Sequence, residues 1–256
     1  KKYSEAALLS KYQLLNKRLG QISEGKEAWL KHCQRYGDGR IHGSVITNAC
    51  VSGRCSHRGP NVAQIPRVGQ PYGAECRALF HAPHGWRQVG SDASGLELRA
   101  LSSWLSYYDG GEYSKLVSME GFDIHTHNAK LFGIYDGQGT IEKRIREQAK
   151  TLIYAVLYGA GPQKLGTIVA PSLSERKQKE IGYETIDTFY KNLPAIKKLK
   201  DKVDEKVTQR GYLIGIDGRH LQIRSRHSAL NQLLQSTGSL CVKKATCILY
   251  EDCKEN

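Results

Sequence analysis

The sequence predicts a mostly helical α+β fold with its few strands in antiparallel pairs, and three observations carry that reading. Residues 146–161, REQAKTLIYAVLYGAG, place Ala149, Leu152, Ile153, Val156 and Leu157 at helical intervals, and Gly159, Gly161 and Pro162 end the run. Residues 212–216 and 220–223 flank Asp217-Gly218, where glycine tolerates the positive φ of a tight hairpin turn. Residues 172–210 are dense in Lys and Glu and read as two exposed helices broken at Pro194.

Taken in order, residues 1–35 carry Ala7, Leu8, Tyr12, Leu15 and Leu19 at helical intervals with lysines between them, which predicts a long basic helix packing on the core. Residues 41–54, IHGSVITNACVSGR, alternate like strands. Residues 53–66, GRCSHRGPNVAQIP, are too rich in Gly and Pro for regular structure; Arg54, Asn61 and Gln64 there either contact a nucleic acid or cap turns. In residues 86–105, WRQVGSDASGLELRALSSWL, a short strand precedes Asp92 and a helix follows Gly95. A strand-end carboxylate can hold a metal over a cleft; the plainer reading of Asp92 is a helix cap. Glu97 and Arg99 fall in the first turns of that helix. Residues 121–127, GFDIHTH, start another, with Asp123 as its cap. His125 and His127 are two apart and cannot share a helix face, which argues against a shared metal. A last helix covers residues 228–251, where Asn231 and Gln235 point the same way.

The most informative stretch is residues 146–161. Arg146, Lys150, Tyr154 and Tyr158 recur every fourth residue, one stripe about 18 Å long at roughly 1.5 Å per residue. Cations lie at one end and aromatic rings at the other. A nucleoside triphosphate fits along such a stripe, phosphates on Arg146 and Lys150 and sugar and base near the tyrosines. An ordinary surface helix with two half-buried tyrosines has the same spacing.

Composition sets outer bounds. With 256 residues and 39% hydrophobic content, the chain can bury one large core or two small ones. A formal charge of +13 favours a polyanionic partner without saying whether it is DNA, RNA or an acidic surface. Seven cysteines, an odd number, read as reduced thiols. Cys50, Cys55 and His57 invite zinc but have no matching second pair. No run of about 18 apolar residues and no charged-then-apolar leader occurs, so neither a membrane span nor export is expected.

Together the segments GQISEGKEAWL, GRIHGSV, SGRCSHRGPNVAQIP, SDASGLELR, DIHTHNA, RxxxKxxxYxxxYG, DGR and HSALNQLLQS, in this order over nearly the whole chain, resemble family A DNA polymerases. The likeness is to the bacterial polymerase I class, and most of all its bacteriophage replicative branch. It implies a right-hand architecture: an antiparallel palm sheet, mostly helical fingers, and an incomplete thumb and palm. Residues 1–35 then correspond to a thumb helix or the thumb-palm junction, 36–120 to a first part of the palm, 121–210 to fingers and 211–256 to a second, truncated part of the palm.

The resemblance also implies roles. Asp92, with the Ala93 carbonyl, corresponds to the position that binds two catalytic Mg²⁺ ions, and Ala93, Ser94, Gly95, Leu96 and Glu97 form a nucleotide-contacting stretch. Arg146, Lys150 and His125 correspond to triphosphate contacts, with Lys150 also protonating departing pyrophosphate. Tyr154 matches the position that senses the 3′ side of the sugar, where tyrosine implies tolerance of dideoxynucleotides. Glu97 matches the steric gate against a ribose 2′-hydroxyl. Tyr158 and Gly159 match the pair that shapes the pocket for the nascent base pair. Arg54, Asn61, Gln64, Asn231 and Gln235 resemble the polar set along the primer-template minor groove.

Departures qualify this. His227 stands where many relatives carry arginine. The His-Asp-Glu strand motif with the second metal-binding aspartate is absent, and no His-Asp pair occurs anywhere in the sequence. One carboxylate position cannot hold two Mg²⁺ ions against their repulsion, so the expectation is weak nucleotide and DNA binding with poor or no polymerisation alone, and a second polymerase chain, or a further segment, that completes the site. The expected partners are primer-template DNA and dNTPs, in the host bacterial cytoplasm. The competing reading is a non-catalytic subunit that binds primer-template DNA. Glu97, and Tyr154-Ala155 where phage RNA polymerases show Met-Thr, argue against an RNA polymerase.

Overall fold

The structure, a computed structural model, describes Tyr3 and residues 5–255. It divides into two compact units between Asp92 and Ala93.

In the first unit the expected long N-terminal helix is interrupted. Helix α1 (Glu5–Leu19) passes through a π turn at Gly20–Glu24 and a bend before α2 (Trp29–Arg35). The break is at Gly25, whose backbone is extended and whose N–H bonds the Gly20 carbonyl at 3.0 Å; a Cβ there would collide with that carbonyl. Helix α1 has no buried residue, so Leu8, Tyr12, Leu15 and Leu19 do not pack on a core as expected. Strand β1 (Ser44–Ile46) pairs antiparallel with β2 (Ser56–Arg58), Val45 opposite His57. Strand β2 lies in the stretch expected to be irregular. Cross-strand hydrogen bonding to β1 overrides the local composition, as it does for many short strands. Helix α3 (Gly73–Ala78) buries Cys76, and Trp29 meets Phe80 edge-on at 5.2 Å.

The strand expected before Asp92 is not formed. Residues 87–94 have no regular structure, and Trp86 and Val89 are 75% and 92% exposed. A strand satisfies its backbone only through a neighbouring strand, and among the described residues none pairs with this one.

The second unit is built around one continuous apolar core. Helix α4 (Leu96–Asp109) contributes Leu98, Leu101 and Leu105, and α5 (Glu112–Ser118) contributes Tyr113. Helix α6 (Ile124–Leu131) starts at Asp123 as expected, the carboxylate accepting the His125 N–H at 3.2 Å. Helix α7 (Lys143–Leu157) buries Leu152, Ile153, Val156 and Leu157. After α8 (Pro162–Val169), helices α9 (Glu175–Asn192) and α10 (Pro194–Arg210) join at Pro194, which takes the first helical position where its missing N–H costs nothing. Phe189 of α9 stacks on Phe132 at 4.1 Å.

Strands β3 (Tyr212–Ile214) and β4 (His220–Gln222) form the expected hairpin, with Leu213 opposite Leu221 and both buried. Arg219 beside the turn donates to Ser236 Oγ at 3.1 Å, fastening the hairpin to α11 (Ala229–Glu255). Trp104 Nε1 donates to Thr237 Oγ1 at 2.9 Å, and Leu96 lies against Gly238, so the start of α4 is anchored on α11. Among the described residues no helix is long and apolar enough to cross a membrane.

Candidate nucleotide site on helix α7

The apolar face of α7 is sealed in the core, with Ala149, Leu152 and Ile153 fully buried, and this forces the opposite face outward. Arg146, Lys150, Tyr154 and Tyr158 run in sequence order along the border of that face, Lys150 and Tyr158 exposed, Arg146 half-buried and Tyr154 half-buried against the core. Two other elements bracket the stripe, one at each end.

At the basic end stands the N-terminus of α6. Arg146 makes a side-on fork with Asp123, Nε to Oδ2 at 2.7 Å and Nη2 to Oδ1 at 2.9 Å. The same carboxylate accepts the His125 N–H and, at 2.6 Å, the Thr126 hydroxyl. These donors, the Arg146 guanidinium first, hold the Asp123 carboxyl at about 2. His125 is pushed below its ordinary range, chiefly by burial and then by the Arg146 cation, with Lys150 adding to the effect. It is therefore a neutral imidazole at neutral pH, a hydrogen-bonding group rather than a third cation. Its Nδ1 is buried without a hydrogen-bond partner among the described residues. Lys150 is exposed, and no ion-pair partner for it occurs among the described residues.

At the aromatic end stands the first turn of α4. The Tyr158 hydroxyl lies 3.2 Å from each oxygen of Glu97, donating to a carboxylate 61 residues away in sequence. Tyr154 and Tyr158 face each other with ring centroids 6.4 Å apart. Burial, with the Glu97 charge second, raises the Tyr154 hydroxyl above its ordinary value, so Tyr154 stays a neutral donor. Glu97 reaches this place because Gly95 takes φ 60° ahead of α4 and Leu96 is fixed on α11.

Gly159 closes the helix at φ 74°, and a Cβ there would strike the His227 carbonyl. Only glycine permits that turn and that approach together. The end of α7 is thereby pressed on the segment leading into α11, which carries Asn231 and Gln235, both half-buried. A cavity of about 420 Å³ opens there, lined by Gly159, Tyr190, Lys200, Arg226 and His227 among others; Arg146, Lys150 and Tyr154 take no part in it.

The remaining sequence-nominated residues are held less firmly. Asp92 is exposed at the end of the unpaired segment, and Ala93 and Ser94 are exposed, the Ser94 carbonyl accepting Arg99 Nε at 3.0 Å. In the first unit Asn61 caps a short turn by accepting the Ala63 N–H at 3.2 Å, and Arg54 and Gln64 are exposed. Among the described residues no group of three or more His, Cys, Asp or Glu is arranged to hold a metal ion.

Sequence reasoning missed two links. Asp123 was expected only to cap a helix, and the Glu97–Tyr158 hydrogen bond had no expectation at all. Both join residues far apart in sequence, where no spacing rule applies; the presence of a cap carboxylate two residues before His125 was the only local hint.

Comparison with known proteins gives the family of the chain. The sequence model described as DNA polymerase family A matches residues 2–256. The chain is 41% identical over 258 residues to the DNA-directed DNA polymerases of Enterobacteria phage T3 and Escherichia phage T7, a match covering 92% of this chain and 34% of each relative. It is 30% identical over 230 residues to the thermostable DNA polymerase I of Thermus aquaticus, 85% of this chain and 26% of that protein. Among solved structures, the fold resembles the POL domain of Pol1 from M. smegmatis, in complex with DNA primer-template and dNTP, at TM-score 0.71 and 20% identity, covering 88% of this chain and 40% of that one. The chain thus spans about a third of the length of the phage relatives it matches, and it belongs to DNA polymerase family A.

Proposed function

We propose that this chain carries the nucleotide-binding part of a template-directed DNA polymerase that adds dNTPs to a primer 3′-hydroxyl. The observation that carries the reading is the α7 stripe, cations at one end under α6 and rings at the other under Glu97. Primer-template DNA and a dNTP, the ligands of the M. smegmatis domain, are the ligands proposed here.

In this reading Arg146, Lys150 and neutral His125 hold the triphosphate by charge-assisted and neutral hydrogen bonds. Lys150, for which no ion-pair partner occurs among the described residues, also supplies a proton to departing pyrophosphate. Tyr154 meets the 3′ side of the sugar. Glu97, fixed by the Tyr158 hydroxyl, stands where a ribose 2′-hydroxyl would come and so favours deoxynucleotides. Tyr158 and Gly159 shape the space for the new base pair. Arg54, Asn61, Gln64, His227, Asn231 and Gln235 line the primer-template. Residues 1–35 act as thumb, 36–120 and 211–256 as palm and 121–210 as fingers, in a host bacterial cytoplasm.

Asp92 and the Ala93 carbonyl offer hard oxygens suited to Mg²⁺, but one exposed carboxylate fits only part of a two-ion site. The second carboxylate comes from a further segment or a second chain. Mg²⁺, when bound, offsets triphosphate charge and makes the primer hydroxyl a better nucleophile.

A primer-extension assay tests the reading. The 256-residue chain alone should extend poorly, and should extend well once the remaining palm of a family A polymerase is supplied. Duplex binding without extension in the completed mixture would favour a non-catalytic primer-template subunit. Robust Mg²⁺-dependent extension by the chain alone would remove the need for a second piece.

A further inference from the structure

We propose that Asp123 is a positioning residue for nucleotide binding, acting through Arg146. The assignment rests on the functional reading above and adds a residue to it.

The geometry separates this from an ordinary ion pair. Asp123 engages Arg146 through Nε and Nη2, a side-on fork that fixes the guanidinium plane and leaves Nη1 and one Nη2 hydrogen directed elsewhere. Among the described residues Nη1 has only a long contact with the exposed Glu147, at 3.4 Å. The two side chains of the fork are 36% and 35% exposed, so the pair is half-buried and screened by solvent, and its contribution to stability is small. An arginine held by one edge at the surface, with its other edge nearly free, is arranged to receive a second anion.

The carboxylate itself is saturated. Its two oxygens accept from Arg146 twice, the Thr126 hydroxyl and the His125 N–H. Because these donors neutralise it locally, a phosphate arriving at Nη1 meets directed N–H groups and the Lys150 charge. The same hydrogen bonds start α6 and so place His125 beside Arg146. Free in solution, a long arginine side chain samples many rotamers, and holding it in one removes much of that loss on binding.

Two roles of Asp123, helix cap and guanidinium holder, are separable by substitution. Asparagine caps a helix as well as aspartate does but cannot form the charge-assisted fork. Mg·dTTP is titrated calorimetrically into the full 256-residue chain, wild type and variants, with thermal melting in parallel. Asp123→Asn should keep the melting temperature within a few degrees and weaken dTTP binding about tenfold. Asp123→Glu, which keeps the charge at the expense of the cap, should recover part of the affinity. In an Arg146→Ala background Asp123→Asn should change affinity less than about twofold, because the residue acts through the missing guanidinium.

Unchanged or tighter binding by Asp123→Asn overturns the assignment and makes Asp123 a mere cap or a competitor for Arg146. An equal loss with and without Arg146 overturns it as well. A wild-type chain that binds no Mg·dTTP overturns the functional reading together with this inference, whereas wild-type binding with an indifferent Asp123→Asn overturns only the inference.

Discussion

Residues 146–158 and residues 86–95 carry two halves of the proposed chemistry and are held in opposite ways. Helix α7 closes its own backbone hydrogen bonds and seals one face in the core, so its polar stripe is set before any ligand arrives. The segment ahead of Asp92 has no ladder partner among the described residues, and Val89 on it is almost fully exposed. A helix can be complete within its own stretch; a strand is complete only with its neighbour. The proposed nucleotide-binding half is therefore fixed by the packing of α7, whereas the segment proposed to carry the metal has no ladder partner among the described residues.

The largest effect expected from breaking this contrast is chemical. Asp92→Asn should lower extension by the completed enzyme about a thousandfold or more, since it removes the one metal-binding carboxylate in this sequence nominated for the site. Its melting temperature should stay unchanged, because the side chain is exposed. Surviving extension would remove Asp92 from the metal site.

Next comes the support of the stripe. Ile153→Ala in α7 empties a fully buried position and should destabilise the second unit by about 2–5 kcal/mol, read by chemical denaturation. A loss below about 1 kcal/mol would mean that the stripe does not depend on this core. Lys150→Ala should leave stability alone and raise the dNTP concentration for half-maximal extension by about tenfold to a hundredfold, a change visible in steady-state kinetics.

Sugar selection should respond more modestly. Glu97→Ala should admit ribonucleotides about tenfold more readily, and Tyr158→Phe, which removes the hydroxyl that holds Glu97, should move the same ratio in the same direction by less. Unchanged discrimination in both would detach Glu97 from the sugar.

The smallest effect is the pH dependence of the Asp123–Arg146 pair. Its ionised form favours the folded state, with the carboxyl near 2 against an ordinary 3.8. The contribution is complete above about pH 4 and lost as pH falls towards 2. Screened by solvent, it amounts to about 1 kcal/mol. Asp123→Asn should flatten that limb of the acid unfolding curve, and an unchanged limb would mean the pair adds nothing.

How much of this was legible in the sequence follows from the same contrast. The α7 stripe, the Asp123 cap, the break at Pro194 and the hairpin at Asp217-Gly218 are local signals, each satisfied within a few residues, and each is present. The strand expected before Asp92, the uninterrupted N-terminal helix and the irregular stretch containing β2 differ from the structure, because pairing partners and the bend at Gly25 decide them. Of the site, sequence spacing supplied the row of four residues on α7. It could not supply Asp123 and Glu97 as the groups that hold its two ends, since those contacts span 23 and 61 residues.

The most direct test is to photocross-link 8-azido-dATP, with Mg²⁺, to the 256-residue chain and map the modified residues by mass spectrometry. Cross-links concentrated in residues 146–158, and lost on competition with unlabelled dATP, are the expected result. Labelling that spares α7 while marking surface lysines indifferently, unaffected by competitor, would contradict the claim that this helix is the wall on which a nucleotide lies.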